Sequence, residues 1–188
     1  METGKVASMA EREGLQATDP SARADAFRTL ADKHLDASYG LAYLILGHRA
    51  QAEDATHDAF VMAWRKWSTL RDPELFERWF DRILVNTCRN HLRQAARRRT
   101  QDLSPELDMP ASDAYAATHD RALLGPALVR LDPDQRVVVA LRFYRDLSIE
   151  QIAAAMGVPP GTVKSRLHRG LRELRAGLDA MDPRGNVR

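Results

Sequence analysis

Two stretches of this 188-residue chain carry arginines at helical spacing. In FERWFDRILVNTCRNHLRQAARR (76–98), Arg78, Arg82, Val85 and Arg89 share one side at 100° per residue, with Arg93 and Asn86 beside them. Asn90 falls nearer the apolar side, and Arg97–Arg99 extend the positive end. In PGTVKSRLHRGLRELR (160–175), Thr162, Ser165, Arg169 and Arg172 share a side, flanked by Lys164, Arg166, His168 and Arg175. A guanidinium is a planar fork that fits phosphate oxygens or a guanine edge, and Ser or Thr can bond to either. The chemistry on offer is recognition of a polyanion.

Catalysis has no comparable support. His34, His48, His57, His91, His119 and His168 are scattered, and Cys88 with His91 is one pair short of a metal site. No glycine-rich phosphate loop occurs. We therefore expect a binding protein, not an enzyme, with no cofactor and no metal.

A basic face can also be mere solubilising surface, but the charge is sorted along this chain. Residues 89–99 hold five arginines and no acid, residues 101–120 five carboxylates and no Lys or Arg, and residues 159–176 five cations against Glu173. The outer face of 76–98 lacks the acids that usually balance exposed arginines, Asp81 being the main exception. Two polyanion-facing patches around an acidic spacer is the simplest reading.

A third stretch, 51–67, has the opposite character. Its polar side is acidic (Glu53, Asp54, His57, Asp58), and Phe60, Trp64 and Trp67 add large apolar surfaces. Such a face suits a protein partner better than DNA, although the tryptophans could equally fill a core.

The elements that must position these residues are all helical. Phe27, Leu30, His34, Leu41, Leu44 and Ile45 predict a first helix ending near Gly47, and Gln51–Trp67 a second. After a loop at Ser68–Pro73, a third carries the stripe Leu75, Phe76, Trp79, Phe80, Ile83, Leu84, Thr87, Cys88, His91 and Leu92. Residues 100–118 have the prolines, serines and acids of a flexible linker. Leu123–Leu131, Pro133–Tyr144, Ile149–Met156 and Pro160–Leu178 then predict four shorter helices. Ile152, Ala153, Gly157, Val158, Val163 and Leu167 have helix-turn-helix spacing, with Val163, Leu167, Leu171, Leu174 and Leu178 on the packed face. Little alternates with period two, so no sheet is expected. The expected architecture is all-α: a tail (1–20), a domain (21–99), a linker (100–118), a helix-turn-helix domain (119–178) and a second tail (179–188).

AEDATHDAFVMAWRKW (52–67), FERWFDRILVNTCRNHLRQAARR (76–98) and LSIEQIAAAMGVPPGTVKSRLHRGLREL (147–174) together resemble bacterial sigma factors of the extracytoplasmic-function (ECF) group. These are minimal sigma-70 family members with only regions 2 and 4, and the resemblance covers roughly residues 23–178. It implies that Asp54, His57, Asp58, Phe60 and Trp64 bind the clamp helices of the largest subunit of core RNA polymerase. The loop Ser68–Pro73 and Arg78, Arg82, Asn86, Arg89, Asn90 and Arg93 would engage the promoter −10 element. Thr162, Lys164, Ser165, Arg166, His168, Arg169 and Arg172 would enter the major groove of the −35 element. An anti-sigma factor is a further implied partner. Two departures stand out: His57 replaces the glutamine of the family's AED-x-x-Q pattern, and Pro160 and Gly161 bring no side-chain donors to the recognition helix.

The competing reading is a helix-turn-helix regulator with an N-terminal dimerisation or sensing domain, which leaves the arginines of 78–93 without a purpose. No run approaches the ~18 apolar residues of a membrane span, and METGKVASMAEREG has no apolar block behind a basic one. With one cysteine, no disulfide framework is possible. A cytoplasmic protein without membrane insertion is expected.

Overall fold

The computed structural model describes residues 19–101 and 119–181. The linker reading for 102–118 and most of both tails lie outside the described residues. Regular structure among the described residues is entirely helical.

Helix α1 (Pro20–Leu46) starts where the Asp19 carboxylate accepts the Ser21 amide at 3.1 Å, with Pro20 needing no partner in the first turn. It stops at Gly47, whose φ of 70° is left-handed and whose N–H reaches the Tyr43 carbonyl at 2.8 Å. Helix α2 (Arg49–Arg65) follows at once. Two short 3-10 turns, Trp67–Thr69 and Pro73–Leu75, take up the two ends of the expected loop and lead into α3 (Phe76–Gln101).

The second half contains α4 (His119–Val129), α5 (Pro133–Phe143), α6 (Ile149–Met156) and α7 (Pro160–Met181). The start of α6 is a reciprocal cap: Ser148 Oγ accepts the Gln151 amide at 3.2 Å, and Gln151 Oε1 accepts the Ser148 amide at 2.7 Å. Gly157, at φ 67°, ends α6 and turns the chain into α7.

The first half is built around interlocked rings. Phe60 and Phe80 stack at 4.4 Å, Phe76 and Phe80 at 5.6 Å, and Phe27 meets Trp67 edge-on at 5.2 Å. In the second half Val137, Val138, Leu141, Ile152 and Val163 are fully buried. Val163 thus fills the space between the two helix-turn-helix helices, as its spacing predicted.

The two halves are packed against one another. Helix α1 lies on α4 and α5, and α3 lies on α6 and α5. Two glycines make this approach possible. A Cβ added at Gly40 in α1 would run into the Tyr144 hydroxyl, and one at Gly47 into Val129.

Candidate nucleic-acid and protein interfaces

On α3, Arg78, Arg82, Asn86, Asn90 and Arg93 are exposed and follow one another along the helix. Arg93 steadies Asn90 by donating to its side-chain oxygen at 3.3 Å. Three placements differ from the periodicity. Val85, expected among the arginines on the outer side, is fully buried. Arg89 retains only 16% of its side-chain exposure: it is paired with Asp134 at 3.1 Å and donates to the Met156 carbonyl at 3.3 Å. Asn90, expected nearer the packed side, faces out. For Arg89 the cause is the second half, which supplies both Asp134 and the Met156 carbonyl. Asp81 is also not the exposed acid expected from the sequence; it is buried and paired with Arg145.

On α7, Lys164, Ser165, His168, Arg169 and Arg172 are exposed and Thr162 is half-buried. Ser165 Oγ donates back to the Thr162 carbonyl at 2.9 Å, so this hydroxyl must exchange partners to meet a base. Arg166 is held by Asp134 at 2.6 Å. The packed side is rotated from the expected leucine row. Leu171 is exposed, while Gly170 is buried, and a Cβ there would meet Val139 at 3.2 Å and Gln135 at 3.3 Å. Positions 163, 167, 170 and 174 form the seam. A glycine carries no hydrophobic signal, which is why spacing of leucines missed it.

On α2, Glu53, Asp54, His57 and Asp58 are exposed. Asp58 reaches His91 of α3 at 3.2 Å, a bond that ties the acidic face to the helix behind it. The aromatic residues divide. Trp67 is fully buried and Phe60 is half-buried against Phe80, whereas Trp64 keeps 40% of its surface exposed. Arg23 lies over the Trp64 ring at 5.6 Å, and Trp64 forms one wall of a shallow apolar depression with Ala24, Phe27, Arg28 and Ala31. The 3-10 turns between α2 and α3 are pinned by Trp79, whose indole N–H donates to Thr69 Oγ1 at 3.1 Å. Between these turns Leu70 and Pro73 are buried and Arg71 is exposed.

Among the described residues no cluster of His, Cys, Asp or Glu could hold a metal ion, and no helix is long and apolar enough to cross a membrane. Burial pushes the Cys88 thiol up to about 12, so it is a small core group with no nucleophilic character at neutral pH.

Comparison with known families assigns both halves. The model for sigma-70 region 2 matches residues 30–98, and that for sigma-70 region 4 matches residues 127–176. Among curated proteins, the ECF RNA polymerase sigma factor SigE of Mycolicibacterium smegmatis is 36% identical over 165 residues, covering 85% of this chain and 64% of the relative. The RNA polymerase sigma-E factor of Streptomyces coelicolor is 39% identical over 132 residues, covering 70% and 73%. The ECF sigma factor SigL of Mycobacterium tuberculosis is 33% identical over 167 residues, covering 86% and 93%. The fold is similar to that of the sigma factor RpoE in its complex with the anti-sigma factor NepR from Bartonella quintana. That match has a TM-score of 0.72 at 25% identity and covers 83% of this chain and 98% of the other.

Proposed function

Because this chain belongs to the ECF group of sigma-70 family RNA polymerase sigma factors, we propose a division of labour among α2, α3 and α7. Helix α2 binds core polymerase through Asp54, His57, Asp58 and Trp64, an acidic rim around one exposed tryptophan. Phe60 supports that face from beneath by stacking on Phe80. Helix α3, with the segment before it, meets the −10 element through Arg78, Arg82, Asn86, Asn90 and Arg93, joined by Arg89 once it leaves Asp134. Helix α7 enters the major groove of the −35 element with Thr162, Lys164, Ser165, Arg166, His168, Arg169 and Arg172. Segment 68–73 has no aromatic side chain, so a base drawn from the melted strand enters a narrow pocket instead of stacking on a platform.

The observation that carries this reading is the pairing of two arginine-bearing helix faces, one in each region. Its role is that of a dissociable initiation subunit acting in the cytoplasm, and it is not an enzyme. RpoE of Bartonella quintana is in complex with the anti-sigma factor NepR in its solved structure, and we extend that class of partner to this chain. The test is runoff transcription by bacterial core polymerase with and without the protein. Promoter-specific transcripts that require the protein support the reading; identical transcripts in both reactions overturn it. A DNA-binding regulator with a dimerisation domain would bind promoter DNA but not core polymerase alone.

A further inference from the structure

Three arginines cross between the halves. Arg89 of α3 takes one oxygen of Asp134, at 3.1 Å, while Arg166 of α7 takes the other, at 2.6 Å. Arg145, in the turn after α5, enters the first half, pairing with Glu77 at 2.9 Å and Asp81 at 3.0 Å and reaching Ser38 Oγ at 3.4 Å. Arg136 of α5 donates to the Ile45 carbonyl near the end of α1 at 2.8 Å and to the Val129 and Leu131 carbonyls at 2.7 and 3.2 Å. Gly40 and Gly47 give Tyr144 and Val129 their room.

One carboxylate therefore occupies one arginine from each of the two DNA-facing helices. A carboxylate and a phosphate make the same forked contact with a guanidinium, so a residue bound by one is closed to the other. Asp134, with Arg89 and Arg166 on its two oxygens, has the place that a DNA phosphate would take on either helix. It also fixes α3 and α7 against each other, whereas two promoter elements along a duplex require the helices to be placed independently.

We propose that the docked arrangement is an autoinhibited state of this chain, in which Asp134 substitutes for DNA phosphate and Arg145 anchors the halves together. The inference rests on the reading of α3 and α7 as promoter-facing helices. Opening exchanges Asp134 for phosphate at Arg89, frees Asp134 and its Arg166 partner within the second half from α3, and withdraws Arg145 from Glu77 and Asp81. The balance is reversible for a physical reason: Arg145 and Asp81 lose hydration on docking and recover it on opening. The Asp134 pairs, moreover, are partly solvated and open to competition by anions.

The test follows the distance between the halves in the full-length chain, by energy transfer between dyes on Lys66→Cys and Asp179→Cys, both exposed sites. Cys88 is buried and stays in place. Adding a short DNA duplex to the otherwise native chain should lower transfer; unchanged transfer with the duplex bound overturns the proposal. In Asp134→Asn and Gly40→Ala, transfer should fall without DNA. If the closed form outnumbers the open about tenfold, affinity for a promoter fragment without polymerase should rise about tenfold. Variants that are folded by circular dichroism yet match the native chain in both transfer and affinity overturn it as well. Promoter-specific runoff transcription by the native chain is measured in parallel. Its loss defeats the functional reading itself, whereas intact transcription with unchanged closure and affinity defeats only the latch.

Discussion

Arg145 and Asp81 approach to 3.0 Å across the junction of the two halves, retaining 5% and 2% of their side-chain exposure. A pair this buried is costly to assemble and costlier to break from one side, because the partner left behind stays charged and dry. Arg145→Ala should therefore either cost about 3–5 kcal/mol or separate the halves, allowing Asp81 to rehydrate. Urea denaturation combined with small-angle scattering distinguishes these outcomes from an unaffected compact chain.

Asp81 also gives the docked fold a pH dependence. Burial raises its carboxyl from 3.8 to about 6, with Arg145 opposing the rise and Glu77 adding to it. A folded-state value above the unfolded one means that the native chain holds the extra proton between the two. This group's contribution to stability is then greatest below about 4, falls as pH rises, and is fully lost above about 6. Asp81→Asn should flatten that slope, whatever it costs in absolute stability by leaving Arg145 with Glu77 as its remaining acid. Comparing urea midpoints of the two proteins from pH 4.5 to 7.5, on the order of one pH step per sample, isolates the effect; parallel profiles would contradict it.

The two tryptophans that flank the end of α2 should behave oppositely. Trp67 is fully buried among Phe27, Phe76 and Trp79, so Trp67→Ala should destabilise the fold by about 3–5 kcal/mol. Trp64 is half outside, and Trp64→Ala should cost much less stability while weakening binding to core polymerase by at least ~2 kcal/mol, as an interface anchor does. Thermal melts and a polymerase pull-down titration measure both quantities on the same preparations.

For the exposed arginines of α7 the signature is salt. Arg169→Ala and Arg172→Ala should each lower the log–log salt slope of −35 binding by about 0.9 if the lost contact is to phosphate. A loss of about 1–3 kcal/mol confined to one base pair would instead identify a guanine contact. Binding that ignores both substitutions removes α7 from the DNA.

Gly170 offers a packing test that leaves the DNA-facing residues alone. Its hydrogen faces Val139 and Gln135 of α5. Gly170→Val should overpack that seam and cost about 1–3 kcal/mol, despite replacing the helix-weakening glycine. Equal or higher thermal stability would show that the seam can yield.

What the sequence determined by itself is what depends on near neighbours. Gly47 and Gly157 end helices because their left-handed backbone strains other residues, and Ser148 with Gln151 starts one because their side chains reach each other's amides. The aromatic stripe of α3 and the plug at Val163 were legible for the same reason, since a helix sets the direction of every side chain from its position in the chain. Periodicity says which way a residue points, but not what lies there. Only the tertiary structure decided that Val85 is buried, that Arg89 reaches into the second half, that Asp81 is a buried partner of Arg145, and that a glycine, not Leu171, marks the seam of α7. Each of those outcomes depends on a group from a distant segment, Asp134 for Arg89 and Val139 for Gly170. The fields and contacts that bury or pair a side chain exist only once those segments have been brought together.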